Sequence, residues 1–420
     1  MKSCPVRPSA STSSHPLRRF LPLFIVLLAF DCLALGREFE FGGFISTGYL
    51  KSSHYNYLAD SEEGTTAFTE MGLHGSWTPR KRTTVNGEIF AFELGPYGNY
   101  EPKIDYLFLD YNFSHQFGIQ IGRVNREFGL YTHLKDIDIT RASILLPMGT
   151  YDHRYRYNSS AVEGGAAYGT FGILEDTYLD YFAYLGRSEV NEDGGLVGYA
   201  LTNLSRHSDD LAICAANSKT TFGGQLWLNP SLERFRVGLG FSRFQDIHLA
   251  ADGNFNPDFP SPFLAGQGFL LEANDLNVSN LQLSAEYAIG NWTFVGEKLW
   301  TDTDFQFTAL IGSTLNPPQD LVSDSQSWYL SVERQFGPFQ TTLTYSEESN
   351  NSARIVLPAP PRTSKDLQLA LRYDIYDFWS MKAEIHDIEG TGRLFNQFQQ
   401  NPVLDESDWT LLALKSTFSY

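Results

Sequence analysis

"LQLALRYDIYDFWSMKAEIHDI" runs from Leu367 to Ile388. Leu367, Leu369, Leu371 and Tyr373 alternate with Gln368, Arg372 and Asp374, and Met381, Ala383 and Ile385 alternate with Lys382, Glu384 and His386. A period of two puts one apolar and one polar face on each run, the mark of a β-strand. A very short connection at 376–377 joins them. The stretch therefore predicts an antiparallel hairpin with one greasy side and one charged side. "LQLSAEYAI" (Leu281 to Ile289) and "FRVGLGF" (Phe235 to Phe241) read the same way.

Carried along the chain, this reading predicts sixteen strands, near 38–50, 66–78, 82–95, 103–113, 117–124, 161–172, 176–187, 219–229, 235–246, 279–290, 292–302, 326–336, 338–348, 365–375, 378–388 and 409–420. Their lengths suit tilted strands crossing a bilayer. Alternation alone also fits a soluble sandwich, but the connections separate the two. Very short turns at 78–81, 114–116, 173–175, 230–234, 291, 337–338 and 376–377 alternate with long polar loops at 51–65, 96–102, 125–160, 188–218, 247–278, 303–325, 349–364 and 389–408. Strict alternation implies an up-and-down sheet with two unlike ends, as in outer-membrane barrels with short periplasmic turns and long external loops. Greek keys of a sandwich would mix connection lengths. Trp77, Tyr287, Trp292, Phe336, Phe339, Tyr376, Phe378 and Trp379 gather beside the short turns. Amphipathic rings favour the headgroup level of a membrane.

The fold class expected is all-β: a transmembrane antiparallel up-and-down β-barrel of about sixteen strands, over residues 37–420. Closure removes strand edges that lipid cannot solvate. A barrel of that size leaves an aqueous channel, whereas side chains can fill one of eight strands.

Composition agrees. Charged residues are 19% of the chain, below the roughly 25% of a typical soluble domain, and aromatics are 15%. One continuous apolar run, "FLPLFIVLLAF" (Phe20 to Phe30), follows Arg18 and Arg19 and precedes the small residues Ala34 and Gly36. It is too short for a membrane helix and has the layout of a secretory signal peptide over residues 1–36. Cleavage would remove four positive charges and one negative, deepening the formal net charge from −18 to −21. Nucleic acid is not expected as a partner at that charge. Of three cysteines, Cys4 and Cys32 would leave with the signal, and Cys214 remains, too few for a disulfide framework or a cysteine zinc site. No GxSxG, HExxH, P-loop or EF-hand pattern occurs, and the nine histidines do not form ligand spacings. No enzyme activity, metal or cofactor is expected.

"GRVNREFGLYTHLKDIDITRASILLPMGTYDHRYRY" (Gly122 to Tyr157), "EGGAAYG" (Glu163 to Gly169) and "DFWSMKAEIHDIEGTG" (Asp377 to Gly392) carry a family likeness. With the signal peptide and the sixteen strands, the chain resembles Gram-negative outer-membrane porins. More specifically, it resembles uncharacterised relatives of the phosphate-selective porins. The resemblance covers essentially the whole mature chain. It implies passive diffusion of small hydrophilic solutes or ions through a water-filled channel in the outer membrane, and a homotrimer. The alternatives are a barrel used for anchoring or adhesion, and a secreted soluble β-rich glycan-binding protein.

The resemblance also implies that the third long loop, 125–160, folds into the barrel and narrows it. That loop carries Arg126, Lys135, Asp136, Asp138, Arg141, Asp152, Arg154 and Arg156 among apolar residues including "ILLPM" (Ile144 to Met148), which could pack it to the wall. Charges of both signs at a constriction would screen solutes by charge and size. An exposed surface loop is the other reading. On the polar parity of the strands stand Glu88, Asp110, Arg236, Glu286, Glu333, Arg372, Lys382 and Glu384, expected to line the lumen. Arg123 falls on the lipid parity and calls for a strand end, a snorkelling side chain or a bulge. Arginine is clustered near the third loop, yet the chain is acidic overall, so the sign of the lumen stays open. Leu412, Leu414, Phe418 and Tyr420 form the lipid-facing set of the last strand, and that pattern resembles the signal read by the outer-membrane barrel assembly machinery. Further partners expected are outer-membrane lipid and lipopolysaccharide.

Overall fold

The computed structural model describes residues 39–95, 97–132, 141–190, 208, 210–230, 234–258, 261–351, 363–392, 394, 401 and 408–420. The candidate signal peptide, 1–36, lies outside the described residues, as do Lys135, Asp136 and Asp138.

Sixteen strands follow in order: β1 (Phe39–Ser52), β2 (Phe68–Arg80), β3 (Thr83–Leu94), β4 (Lys103–Ser114), β5 (Phe117–Asn125), β6 (Ala161–Leu174), β7 (Thr177–Arg187), β8 (Ala212–Asn217 continued by Thr220–Asn229), β9 (Phe235–Asn254), β10 (Gly268–Ile289), β11 (Trp292–Ile311), β12 (Gln319–Phe336), β13 (Phe339–Asn351), β14 (Thr363–Tyr376), β15 (Trp379–Glu389) and β16 (Asp408–Ser419). The two pieces of β8 share one register against β9, so they are one broken strand. Each strand pairs antiparallel with its chain neighbours, and β16 returns to β1 with Phe44 opposite Ser419 and Ser52 opposite Leu411. The sheet is a closed barrel. Among the described residues no helix is long and apolar enough to cross a membrane; the crossing elements are strands.

The two faces are inverted relative to a soluble protein. Gln368 is 2% exposed while its neighbour Leu369 is 50% exposed, and Glu384 is 1% exposed while Ile385 is 51%. A soluble sheet would bury the leucine and hydrate the carboxylate, since a buried charge is costly and a buried aliphatic favourable. Exposed aliphatics around the outside suit lipid as the outer solvent. Leu412, Leu414, Phe418 and Tyr420 are likewise exposed, and the Tyr420 backbone exchanges both hydrogen bonds with Gly43 (3.0 and 2.8 Å). At the short-turn end the outward aromatics stack: Tyr376 on Phe378 at 5.3 Å, Trp379 on Phe418 at 5.1 Å, Phe336 on Phe339 at 5.8 Å, and Trp292 on Phe294 at 6.5 Å.

The expected loops 247–278 and 303–325 are mostly strand. β9 runs on to Asn254, β10 starts at Gly268, β11 reaches Ile311 and β12 starts at Gln319. The polar loop expected at 188–218 also contains the outer piece of β8. Beyond the apolar belt both strand faces can be polar, as with Asp252, Glu272, Asp302 and Asp304. Their apolar residues pack in two buried clusters, around Ile247 and Leu249 and around Phe269 and Leu271, and the hydrogen-bonded ladder continues. Arg123 sits near the outer end of β5, ion-paired with Glu189 (3.3 Å) and Glu163 (3.9 Å). Its neighbour Gly122 has φ +137°, a local irregularity in the strand.

Candidate lumen site

The long connection from β5 to β6 does not lie on the outside. It crosses the interior and returns, and its path is fixed by hydrogen bonds to wall side chains. The Gly129 N–H donates to Gln225 Oε1 on β8 (2.7 Å), and the Leu130 N–H to Glu297 Oε1 on β11 (3.0 Å). Past the undescribed stretch, the Ile144 and Leu145 N–H groups donate to the two carboxylate oxygens of Glu384 on β15 (2.6 and 3.0 Å). Gln368 on β14 donates to the Leu145 carbonyl (2.9 Å), and Lys382 to the Ser143 carbonyl (3.4 Å). Ser327 on β12 then holds the Gly149 carbonyl (2.8 Å), and the Tyr151 hydroxyl donates to Glu297. Gly129 has φ +76°, and a side chain there would run into Tyr151 and Gln282, so the loop can turn inward here only at a glycine.

Two buried glutamates, four strands apart on β11 and β15, thus clamp the loop. Glu297 also accepts from Ser284 (2.5 Å) and from the Tyr329 hydroxyl (2.6 Å), while His386 bridges Glu384 (2.8 Å) and Asp366 (2.9 Å). A carboxylate with several donors satisfies backbone N–H groups that would otherwise be stranded away from water. Apolar packing adds to this. Ile144, Leu145 and Met148 join Tyr55, Tyr57 and Leu58 from loop 53–67, Tyr97 from loop 95–102, and Trp409 and Leu411 from β16 in one buried cluster. Loops near the β1–β3 and β14–β16 walls therefore fill that part of the mouth.

The loop arginines are buried at 2–8% exposure. Arg126 donates to the Tyr184 hydroxyl (3.1 Å) and lies 4.6 Å over the Phe244 ring. Arg154 grips Asp152 through two nitrogens (2.6–3.0 Å) and faces the Tyr57 ring. Arg156 pairs with Asp105 on β4 (3.0 Å) and stacks 3.6 Å over Phe90. Arg141 is buried where its charge acts on Tyr131 and His153. Planar guanidinium groups suit such stacked, desolvated places. The arrangement uses Arg126, Arg141, Arg154 and Arg156 to hold the loop, and does not set them in a row facing water. His153 is buried in the same region, and burial lowers its pKa to about 4.

The eight wall residues all point inward, but they are spread around the barrel. Arg236 pairs with Glu286 across β9 and β10 (3.1 Å), Arg372 with Asp374 (2.7 Å), and Glu333 accepts from Gln340 (3.3 Å). Glu88 packs near Tyr106, and Lys382 and Glu384 meet the loop as described. Asp110 stands apart. It belongs to a cavity of about 320 Å³ between the start of the loop and the β4–β8 wall, with Glu127, Asp180, Tyr168, Phe182 and Trp227.

Sequence reasoning missed Glu297, Asp180 and Trp227. Glu297 lies between Val295 and Leu299, which also point inward beneath Leu130 and Tyr329, so that strand reads as apolar on both sides. Asp180 shares its inner face with Phe182 and Tyr184, and inward rings look like lipid-facing ones in a sequence. Among the described residues no group of three or more His, Cys, Asp or Glu could hold a metal ion.

No protein-family model matches the chain, and no curated protein does. Solved structures do. An anion-selective porin from Comamonas acidovorans is 11% identical over 91% of this chain and 99% of its own, with a TM-score of 0.51. OmpT, an outer membrane protein of Vibrio cholerae, is 11% identical over 91% and 97%, at 0.51. Salmonella typhi OmpF is 12% identical over 91% and 97%, at 0.50. At this identity the likeness defines the fold, which is that of the porin-type outer-membrane barrels.

Proposed function

We propose that the protein is an outer-membrane porin, a water-filled channel for passive diffusion of small hydrophilic solutes or ions, made after removal of residues 1–36 as a signal peptide. The carrying observation is the closed sixteen-strand ring with aliphatic residues outside and carboxylates, amides and hydroxyls inside. Such a wall can stand only between lipid and a polar interior. In this reading the third loop, held by Glu297 and Glu384, narrows the interior, and the acidic cavity against β4–β8 supports an opening on that side. A homotrimer, insertion by the barrel assembly machinery and contact with lipopolysaccharide follow from the same reading.

Planar bilayers doped with detergent-folded protein test it. Discrete conductance steps are expected, and cross-linking in detergent should yield a trimer band. A correctly folded, heat-modifiable barrel that gave no steps would refute the open channel and leave an anchoring role.

A further inference from the structure

The two anchors of the loop differ in kind. At Glu297 the donors are neutral: the Leu130 N–H and the hydroxyls of Ser284, Tyr151 and Tyr329. At Glu384 a histidine is built in. His386 is the next inward residue on β15, and its two ring nitrogens meet two carboxylates. Nε2 lies 2.8 Å from Glu384 Oε1, and Nδ1 lies 2.9 and 3.0 Å from the two oxygens of Asp366 on β14. His386 is 2% exposed and Glu384 1%, so bulk water does not reach the contact between them.

A neutral imidazole carries one N–H and one bare nitrogen. Whichever nitrogen were bare would aim its lone pair at a carboxylate oxygen. Only the imidazolium donates to both, so the geometry calls for a cation between Asp366 and Glu384, with charge-assisted hydrogen bonds on either side. These two carboxylates are the charged groups in contact with the ring. Its cross-strand neighbours are Gln368 on β14 and Leu411 on β16, and neither titrates. The effect reaches the loop through the Glu384 carboxylate. Oε1 accepts from His386 and from the Leu145 N–H, and Oε2 accepts from the Ile144 N–H. The ring sets where the carboxylate stands, and the carboxylate sets where the loop stands.

We infer that His386 is a positioning residue that works as a proton-operated catch. Charged, it holds the 143–149 limb of the third loop on the β14–β15 wall. Loss of its proton to alkaline solvent frees that limb, while the Glu297 anchor, with its neutral donors, stays made. The inference rests on the channel reading above for its consequence, a wider passage in alkali, but the catch itself is read without current.

Limited trypsin digestion of the folded full-length barrel is the test, because Arg141 lies just before Ser143 and the two clamped N–H groups. Cleavage after Arg141 is scaled at each pH to that of the heat-unfolded chain. It is expected to quicken roughly tenfold from neutral to alkaline pH, about what losing one hydrogen bond to a charged group gives. Cleavage after Arg126, beside the other anchor, should stay slow. In Asp366→Asn the new amide donates to Nδ1 of a neutral ring while the Nε2–H keeps Glu384. The limb should then stay held, and cleavage after Arg141 should be flat with pH. His386→Leu removes the catch and should give the fast rate at every pH; if that variant loses the heat-modifiable barrel, Asp366→Asn decides alone. A native rate that is flat with pH, or an Asp366→Asn rate that rises as the native one does, would overturn the catch. In bilayers the native step should grow over the same range and the Asp366→Asn step should not. Absent steps with pH-dependent cleavage would sink the channel and keep the catch. Steps with flat cleavage would sink the catch and leave the channel.

Discussion

Along β1–β3 and β10–β16 the described loops reach the inner wall, and charges there are spent on them: Glu297 and Glu384 hold backbone, and Arg154 holds Asp152. Along β4–β8 the wall meets a cavity, and Asp110, Glu127 and Asp180 have no cationic partner there among the described residues. The same residue types therefore do different work on the two sides. A count of charges in a pore says little until each charge is asked whether a protein group already answers it.

The clamp offers the largest way to break this comparison. Glu297→Ala combined with Glu384→Ala strands three backbone N–H groups, at about 1–3 kcal/mol for each buried donor left without a partner. The loop should detach while the strands persist, giving a larger conductance step and faster proteolysis within 126–160 in a barrel that still shifts on heating. An unchanged step would mean that the loop is not held from these two walls.

Next comes a contrast of charge removal. Neutralising Asp110, Glu127 and Asp180 should move the reversal potential in a salt gradient toward anion preference. Neutralising Arg126, Arg141, Arg154 and Arg156 should chiefly lower the unfolding temperature, because it leaves Asp105 and Asp152 buried without their partners. Equal selectivity shifts from the two sets would erase the distinction between the sides.

Proton uptake sharpens it further. The Glu127 carboxyl titrates near 7, above the ordinary 4.5, beside Asp180 and Asp110, with Tyr168, Gln225 and Trp227 around it and Arg236 across the indole. Below 7 it is neutral, so cation preference should rise as pH climbs through 7 and lose that rise in Glu127→Gln. Because the folded pKa is raised, this group's share of stability is present at low pH and is lost as pH rises through 7.

The smallest effect lies on the covered side. His153 has its folded pKa lowered to about 4 by burial, so it stays neutral and its share of stability is present above 6.5 and lost as pH falls toward 4. Loop proteolysis should quicken modestly over that window, and less so in His153→Gln. Identical acid sensitivity in the two proteins would remove His153 from the account.

All sixteen strands were legible in the sequence because lipid imposes a period of two wherever it touches the wall, as at Leu367, Leu369 and Leu371. The outer halves of β9–β12 were not, because Asp252, Glu272, Asp302 and Asp304 among their apolar residues make those stretches read as polar loops. Glu384 was legible as an inward residue but not as a clamp, since its partners, the Ile144 and Leu145 N–H groups, are backbone and carry no sequence signal. The arginines of the loop were visible as charges. That Arg156 lies on Phe90 depends on a contact 66 positions apart, which alternation cannot report.

The long strands set a limit on how the mouth could ever shut. β10 has 22 residues, roughly 70 Å of ladder at about 3.3 Å per residue, against the 9–11 that a tilted strand needs to cross. With β9, β11 and β12 it makes a stiff parapet on one side of the opening. Bending it inward would break the cross-strand hydrogen bonds that pair Phe269–Asn274 with Gln306–Ile311, above the irregularity at Asn274–Asn277. On the opposite rim Tyr55, Tyr57 and Tyr97 are already buried with Ile144 and Leu145 of the third loop, so among the described residues the narrowing of the mouth comes from that side.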